Sequence, residues 1–470
     1  MDNDNTKGDI DKFFRPRAVA IVGVSREQDK PGRVIFDNMR ASFKGKVYPV
    51  NPNTSEIDGV PCYKSIMDLP AEVDHVVLVI PAPFVPASLE ECGKKGIKNA
   101  VVISGGFGET GRRDLEVQLV SIVNQYGVRV VGPNCLGLMD AYSGINSFFL
   151  PAYRVKYPKP GPVTFLTQSG AVGGVGMDYA AKVGIGISKI VSYGNRLDVD
   201  EPDMLDYLKN DDTTKVVMIY MEGTRRGREF IRAARDVSKT KPIVLFKVGR
   251  GAYGAKAVSS HTGSLAGDNA IYETAFDKAG VIQANTLEEM FDYAKVFSMQ
   301  HPAKGNRVAV ITSGGGFGVM ASDAVEAAGL KLADLSDSTR KELRAAFPPH
   351  VGVNNPIDIV GDADAERYRV AIEKALADPN VDAVLLIFLM QLPRVSSDVL
   401  RLVEQEKRKS EKPIVGVSCG SEFSDLHMKI LEEGIGIPVF ETPERGVKAL
   451  KALVDYGAIQ EKLRNEEGIL

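Results

Sequence analysis

The stretch VSSHTGSLAG, residues 258–267, holds His261, one of only five histidines in 470 residues. An imidazole titrates near neutrality, so in its neutral form it can accept a proton or attack an electrophile. Its small and hydroxyl neighbours cannot pack a core, and no cysteine or second histidine stands nearby to share a metal. That composition predicts a mobile functional loop rather than a packing element. His427, in SDLHMKIL, sits instead in a helical apolar pattern and reads as structural.

Other residues suggest anion chemistry. IVGVSREQDKPGRV places Gly23, Ser25 and Gly32 before a helix, where backbone N–H groups can meet phosphate at the positive helix end. The match to GxGxxG is incomplete. A nicotinamide site usually adds Asp or Glu at the end of the next strand. Here Lys46 enters that strand, and Asn51 and Asn53 follow it. Lysine suits a phosphorylated ribose, as in coenzyme A or NADP, and equally suits an ordinary exposed strand. IPAP with Pro81, SGGFGE with Ser104 and Gly105, and GPNC with Asn134 and Cys135 stand at later strand ends. Ligands of open α/β sheets bind there, although glycine and proline also simply turn a chain. Cys135 is a nucleophile or, as we read it, a small apolar wall. Asp198 and Asp200, like Asp362 and Asp364, read as helix caps rather than metal ligands.

These residues need a scaffold, and the chain repeats one grammar. AVAIVGVS, KVYPVNP, HVVLVIPAP, NAVVISGG and VRVVGPN are apolar runs alternating with helical stretches. Such runs read as buried parallel strands joined by helices, which makes residues 1–148 a doubly wound α/β domain. The proline-rich LPAYRVKYPKPGP then resets the chain. TFLTQSGAVGGVGMDYAAKVG (164–184) resembles AVITSGGGFGVMASDAVEAAG (309–329), and KPIV occurs at 241–244 and 412–415. Two related α/β domains follow, 160–298 and 306–470. Each offers an anion-binding helix start, at Ser169–Gly170 and at Ser313–Gly314–Gly315. From KPIV to the threonine opening the closing helix, the first copy runs 245–285 and the second 416–441, or 41 residues against 26. His261 lies in that excess.

Composition narrows the function classes. A net charge of −3 offers nothing to nucleic acid or an anionic membrane, and no apolar stretch approaches the ~20 residues of a membrane span. The polar N-terminus reads as neither signal nor transit peptide. Four scattered cysteines without CxxC pairs suggest a reduced, cytoplasmic protein. No GxxxxGK[ST] loop is present to hold a nucleotide's phosphates.

In order, VGVS, KVYPVNP, IPAP, SGGFGE, GPNCLG, TQSGA, SYGNRLDVDEPDML, YMEG, SSHTGSLAG, SGGGFG and NPIDIVGDAD closely resemble the α subunits of ADP-forming acyl-CoA synthetases. These acetate–CoA ligases lie in the succinyl-CoA synthetase superfamily, and the resemblance covers about residues 10–460. It implies a Rossmann-like CoA-binding domain followed by two flavodoxin-like ligase domains. It implies an enzyme that turns acyl-CoA, ADP and phosphate into acid, ATP and CoA, reversibly, through acyl phosphate and phosphohistidine. ATP would form on a separate ATP-grasp β subunit, holding ADP/ATP with Mg2+ in an α2β2 assembly. His261 matches the family's phosphorylated residue and Glu222 the acid that orients or stabilises it. Gly23, Ser25 and Lys46 match the positions holding CoA phosphates and ribose, and Asn134 and Cys135 those near its thiol. Ser169–Gly170 and Ser313–Gly315 match two helix starts facing the phosphate, and no metal site is implied on this chain. GVS stands where many relatives have GAS. Two alternatives differ in class. A non-catalytic CoA-sensing module would not need a histidine loop, and an NADP-dependent oxidoreductase would be stabilised by NADP rather than CoA.

Overall fold

The structure, a computed structural model, describes residues 8–262, 269–395 and 397–467, with the side chains at 259–262 and 467 also outside it. The chain divides after Asn285 into two compact units. Among the described residues no helix is long and apolar enough to cross a membrane.

The described residues of the first unit form two large sheets and a small antiparallel ribbon of Glu56–Ile57 with Val60–Pro61. β1 (Ala18–Val22), β2 (Lys46–Val50), β3 (His75–Leu78), β4 (Asn99–Val102) and β5 (Arg129–Val131) run parallel in the order β2-β1-β3-β4-β5. β1, β3 and β4 are buried throughout, as continuous apolar runs covered on both faces require. The second sheet comprises β6 (Gly137–Asp140), β7 (Pro160–Thr167), β8 (Ile187–Ser192), β9 (Val216–Met221), β10 (Ile243–Lys247) and β11 (Ile282–Ala284). Its order is β11-β10-β9-β7-β8-β6, with β6 alone antiparallel. Sequence grouping places β6 in the first domain, yet it bonds into the second sheet, Gly137 opposite Ser192. A fully buried run carries no sign of which sheet it joins. The strand order reverses between β1 and β3 and again between β7 and β9, and such switch points are where open α/β sheets bind ligands.

The second unit, from Thr286, contains β12 (Arg307–Thr312), β13 (Lys331–Leu332), β14 (Ile357–Asp358), β15 (Ala383–Ile387), β16 (Ile414–Val417) and β17 (Val439–Phe440). Its order β13-β12-β15-β16-β17, with β14 beside β12, repeats that of β8-β7-β9-β10-β11. The two KPIV copies lead into β10 and β16. The helix Leu287–Met299 lies in this unit, capped by Thr286, whose hydroxyl accepts the Glu289 N–H at 3.0 Å. It packs on the helix Pro443–Glu467 through Phe297 on Tyr456, and Arg445 pairs with Asp292 at 2.7 Å.

Three local expectations need correction. Asp200 and Asp364 do cap their helices, but Asp198 accepts from Arg129 and from the Val130 N–H, and Asp362 pairs with Arg367 and His350. Between β10 and β11 stand two helices, Ala252–Thr262 and Asn269–Ala279, so the backbone at His261 is helical rather than a loop. Small residues such as Ala and Ser tolerate a helix well, and composition alone does not exclude it. Residues 263–267 of the quoted stretch lie outside the described residues.

Candidate functional site

β1 leads directly into Gly23, whose φ of 98° and a carbonyl 2.3 Å from where a Cβ would stand admit only glycine. The turn that follows is tied down: Asn51 donates to the Val24 carbonyl at 2.8 Å, and the Ser25 hydroxyl accepts the Glu27 N–H at 3.1 Å. At the end of β4, the Ser104 hydroxyl donates to the Ile80 carbonyl and accepts the Ile80 N–H. After β5, Asn134 adopts a left-handed φ of 58° and donates its N–H to the Ser104 carbonyl at 2.9 Å. The strand ends of the first sheet are thus stitched to one another.

In the second sheet β7 runs into Gln168–Ser169, and Ser169 caps the helix Gly170–Lys182 by accepting the Val172 N–H at 3.3 Å. The N–H groups of Gly170 and Ala171 face the first turn with no acceptor among the described residues, as helix geometry leaves them. β9 leads directly into buried Glu222. Behind it Lys247 lies 4.7 Å from the Tyr272 ring. Burial pushes its ammonium below the ordinary lysine range, Arg250 adds to that, and the charge of Glu222 opposes it.

These ends share one cleft of about 1530 Å³. From the first sheet it is lined by Pro81, Ser104, Gly105, Asn134 and Cys135, and from the second by Ser169, Gly170 and Glu222. Gly23 and Ser25 do not line it; their turn leads to Pro31, which does. Lys46 stands elsewhere. It opens β2 in register with Ala18 at the amino end of β1, exposed and paired with Glu72 at 3.0 Å. A strand's first residue lies a strand length from its ligand-binding end, so the expected ribose-phosphate role is not supported. Ser313, Gly314 and Gly315 lie in the second unit. Gly314 is the cap there, while the Ser313 hydroxyl is buried and accepts from Tyr368 at 2.8 Å, so Ser313 does not face a ligand. The side chain of His261 lies outside the described residues. His427 is buried between Ser397 and the Phe423 carbonyl, a packing role.

Cys135 donates its thiol to the Val102 carbonyl at 3.3 Å, and burial pushes its pKa up to about 12. It is a thiol at neutral pH, a wall rather than a nucleophile. Among the described residues no cluster of His, Cys, Asp and Glu could hold a metal. Sequence reasoning missed Gln168, Asn195, Arg196 and Arg225, which also line the cleft. Gln168, Asn195 and Arg196 lie within quoted motifs and Arg225 stands two residues past YMEG, which was the available signal.

With this geometry in place, relatives become informative. The α subunit of an ADP-forming acetate–CoA ligase II from Pyrococcus furiosus is 40% identical over 453 residues, covering 95% of this chain and 97% of that one. The chain belongs to the ADP-forming acetate–CoA ligase family. An ADP-forming acetate–CoA ligase I from Archaeoglobus fulgidus is 42% identical over 464 residues, 98% of this chain and 65% of that longer ligase. A solved ligase structure, acetyl-coenzyme A synthetase 1 of Ca. Korarchaeum cryptofilum in complex with phosphate and ADP, superposes with a TM-score of 0.92 at 38% identity. It covers 97% of this chain and 99% of its own. Family models agree along the chain: a CoA binding domain at 17–141, a succinyl-CoA ligase like flavodoxin domain at 160–297 and a Ligase-CoA domain at 308–456.

Proposed function

We propose that the chain is the α subunit of a ligase converting acyl-CoA, ADP and phosphate to carboxylic acid, ATP and CoA, reversibly. One observation carries this reading: a single cleft touches strand ends at both switch points of the first unit and a helix start. CoA lies along Val79–Pro81 and Ser104–Gly105, its thiol toward Asn134 and Cys135. Phosphate sits at Ser169–Gly170, where the helix end stabilises an anion without a desolvated counter-charge. A phosphate oxygen attacks the thioester carbonyl, the C–S bond breaks and CoA leaves as thiolate, giving acyl phosphate. The neutral imidazole of His261 then attacks phosphorus, and the acid departs as carboxylate with the bridging oxygen. Glu222 accepts a hydrogen bond from the other ring nitrogen and stabilises the cationic phosphoimidazole. The phosphoryl group passes to ADP, held with Mg2+ on a separate ATP-grasp β subunit in an α2β2 assembly, and the chain works in the cytoplasm.

Ligand-dependent unfolding tests the binding half. CoA is expected to raise the unfolding temperature and NADP to leave it unchanged. Stabilisation by NADP alone contradicts the proposal.

A further inference from the structure

Gln168 immediately precedes the Ser169 cap and is buried, and its carboxamide uses its full hydrogen-bonding capacity. Oε1 accepts the N–H groups of Glu222 at 2.7 Å and Gly223 at 3.1 Å. Nε2 donates to the Gly223 carbonyl at 2.8 Å and to Oε1 of Glu201 at 2.5 Å. Three of these four bonds hold the backbone of one turn, the turn that presents Glu222. The fourth reaches a carboxyl group that is completely buried at the start of the helix Glu201–Leu208. Its Oε2 lies 3.8 Å from the Arg196 guanidinium, and Arg196 in turn donates to the Gly223 carbonyl. Burying a carboxyl group costs free energy that acyl and phosphoryl transfer do not call for at this place.

We propose that Gln168 and Glu201 form a positioning pair that fixes the Glu222–Gly223 turn relative to the Ser169–Gly170 helix start. Because Gln168 and Ser169 are neighbours in the chain, one side chain couples the acid to the anion site and keeps their spacing constant. The inference rests on the role given above to Glu222. Gln168 and Glu201 act through other groups: their bonds go to the protein.

The test exchanges the ends of the bond. Q168E keeps an acceptor for the two N–H groups but sets two carboxyl groups against each other. Q168E/E201Q restores an amide-to-carboxyl bond in reverse, with Arg196 still serving the Gly223 carbonyl. Each variant is assayed with the partner subunit for kcat, for KM of acyl-CoA, and for acid-labile label taken from phosphate without ADP. Q168E is expected to lose roughly 10- to 100-fold in kcat with KM within about 2-fold, and the double variant to regain most of it. E201Q alone, whose carbonyl still accepts from Gln168, is expected to lose less than about 3-fold, and it tests the pair if Q168E does not fold. Unchanged kcat in Q168E, a double variant no better than Q168E, or a collapse of E201Q overturns the pair. Labelled wild type and unlabelled E222Q beside a fully labelled Q168E overturns the pair alone. Wild type that takes no label overturns the functional reading and the pair with it.

Discussion

Placement rather than residue type decides which side chains react. Cys135 stands in the cleft as a thiol because burial raises its pKa, while Glu222 is delivered to the same cleft by a turn that Gln168 holds from beneath. His75 shows the opposite case, an imidazole used as core. It is fully buried in β3 with its ring edge-on to Phe13 at 5.6 Å, and burial pushes its pKa down to about 3. Since its unfolded value is near 6.5, unfolding takes up a proton below that pH. Its contribution is complete above pH ~6.5 and falls by about 1 kcal/mol per pH unit toward pH ~3. Urea midpoints between pH 7 and pH 4 should fall less steeply in H75L than in wild type, and equal slopes would refute this. Nothing in DHVVLVI separates this histidine from a solvent-facing one. The deciding fact is the helix Asp11–Phe14, whose two phenylalanines are buried.

At the scale of elements, strand runs and three of the helix caps were readable, while the expected caps Asp198 and Asp362 and the cross-element placements were not. Asp200, Asp364 and Thr286 cap as their local patterns predict, because a cap involves only neighbouring backbone. Lys46 and β6 misled for the converse reason: which end of a strand faces the ligand, and which sheet it joins, depend on distant chain. Lys189 is a similar case. In β8 it is fully buried, 2.7 Å from Asp211 and 3.6 Å from Asp140 of the neighbouring β6. K189M should cost about 3–5 kcal/mol, since it removes the buried cation shared by Asp211 and Asp140 and leaves Asp211 only the half-exposed Arg15 at 3.4 Å. K448M, which removes a half-exposed partner of Glu289, should cost less than about 1 kcal/mol. Chemical denaturation compares the two, and similar costs would contradict this ranking.

For the whole molecule, the duplication was legible because KPIV and the Ser-Gly turns recur in the same order, and two sheets do share one strand order. The helix Leu287–Met299 continues the first repeat in sequence while packing within the second unit. Residues 286–470 expressed alone should therefore unfold cooperatively, and residues 306–470 should not. Cooperative unfolding of the shorter piece, seen by circular dichroism, would show that this helix is dispensable. The account as a whole turns on phosphoryl transfer through one imidazole. Its most direct measurement incubates the chain, its partner subunit, acetyl-CoA and labelled phosphate without ADP, then maps the label by mass spectrometry. The account predicts an acid-labile, base-stable phosphate on His261, absent from H261A and discharged to ATP on adding ADP. Label that survives in H261A would contradict it.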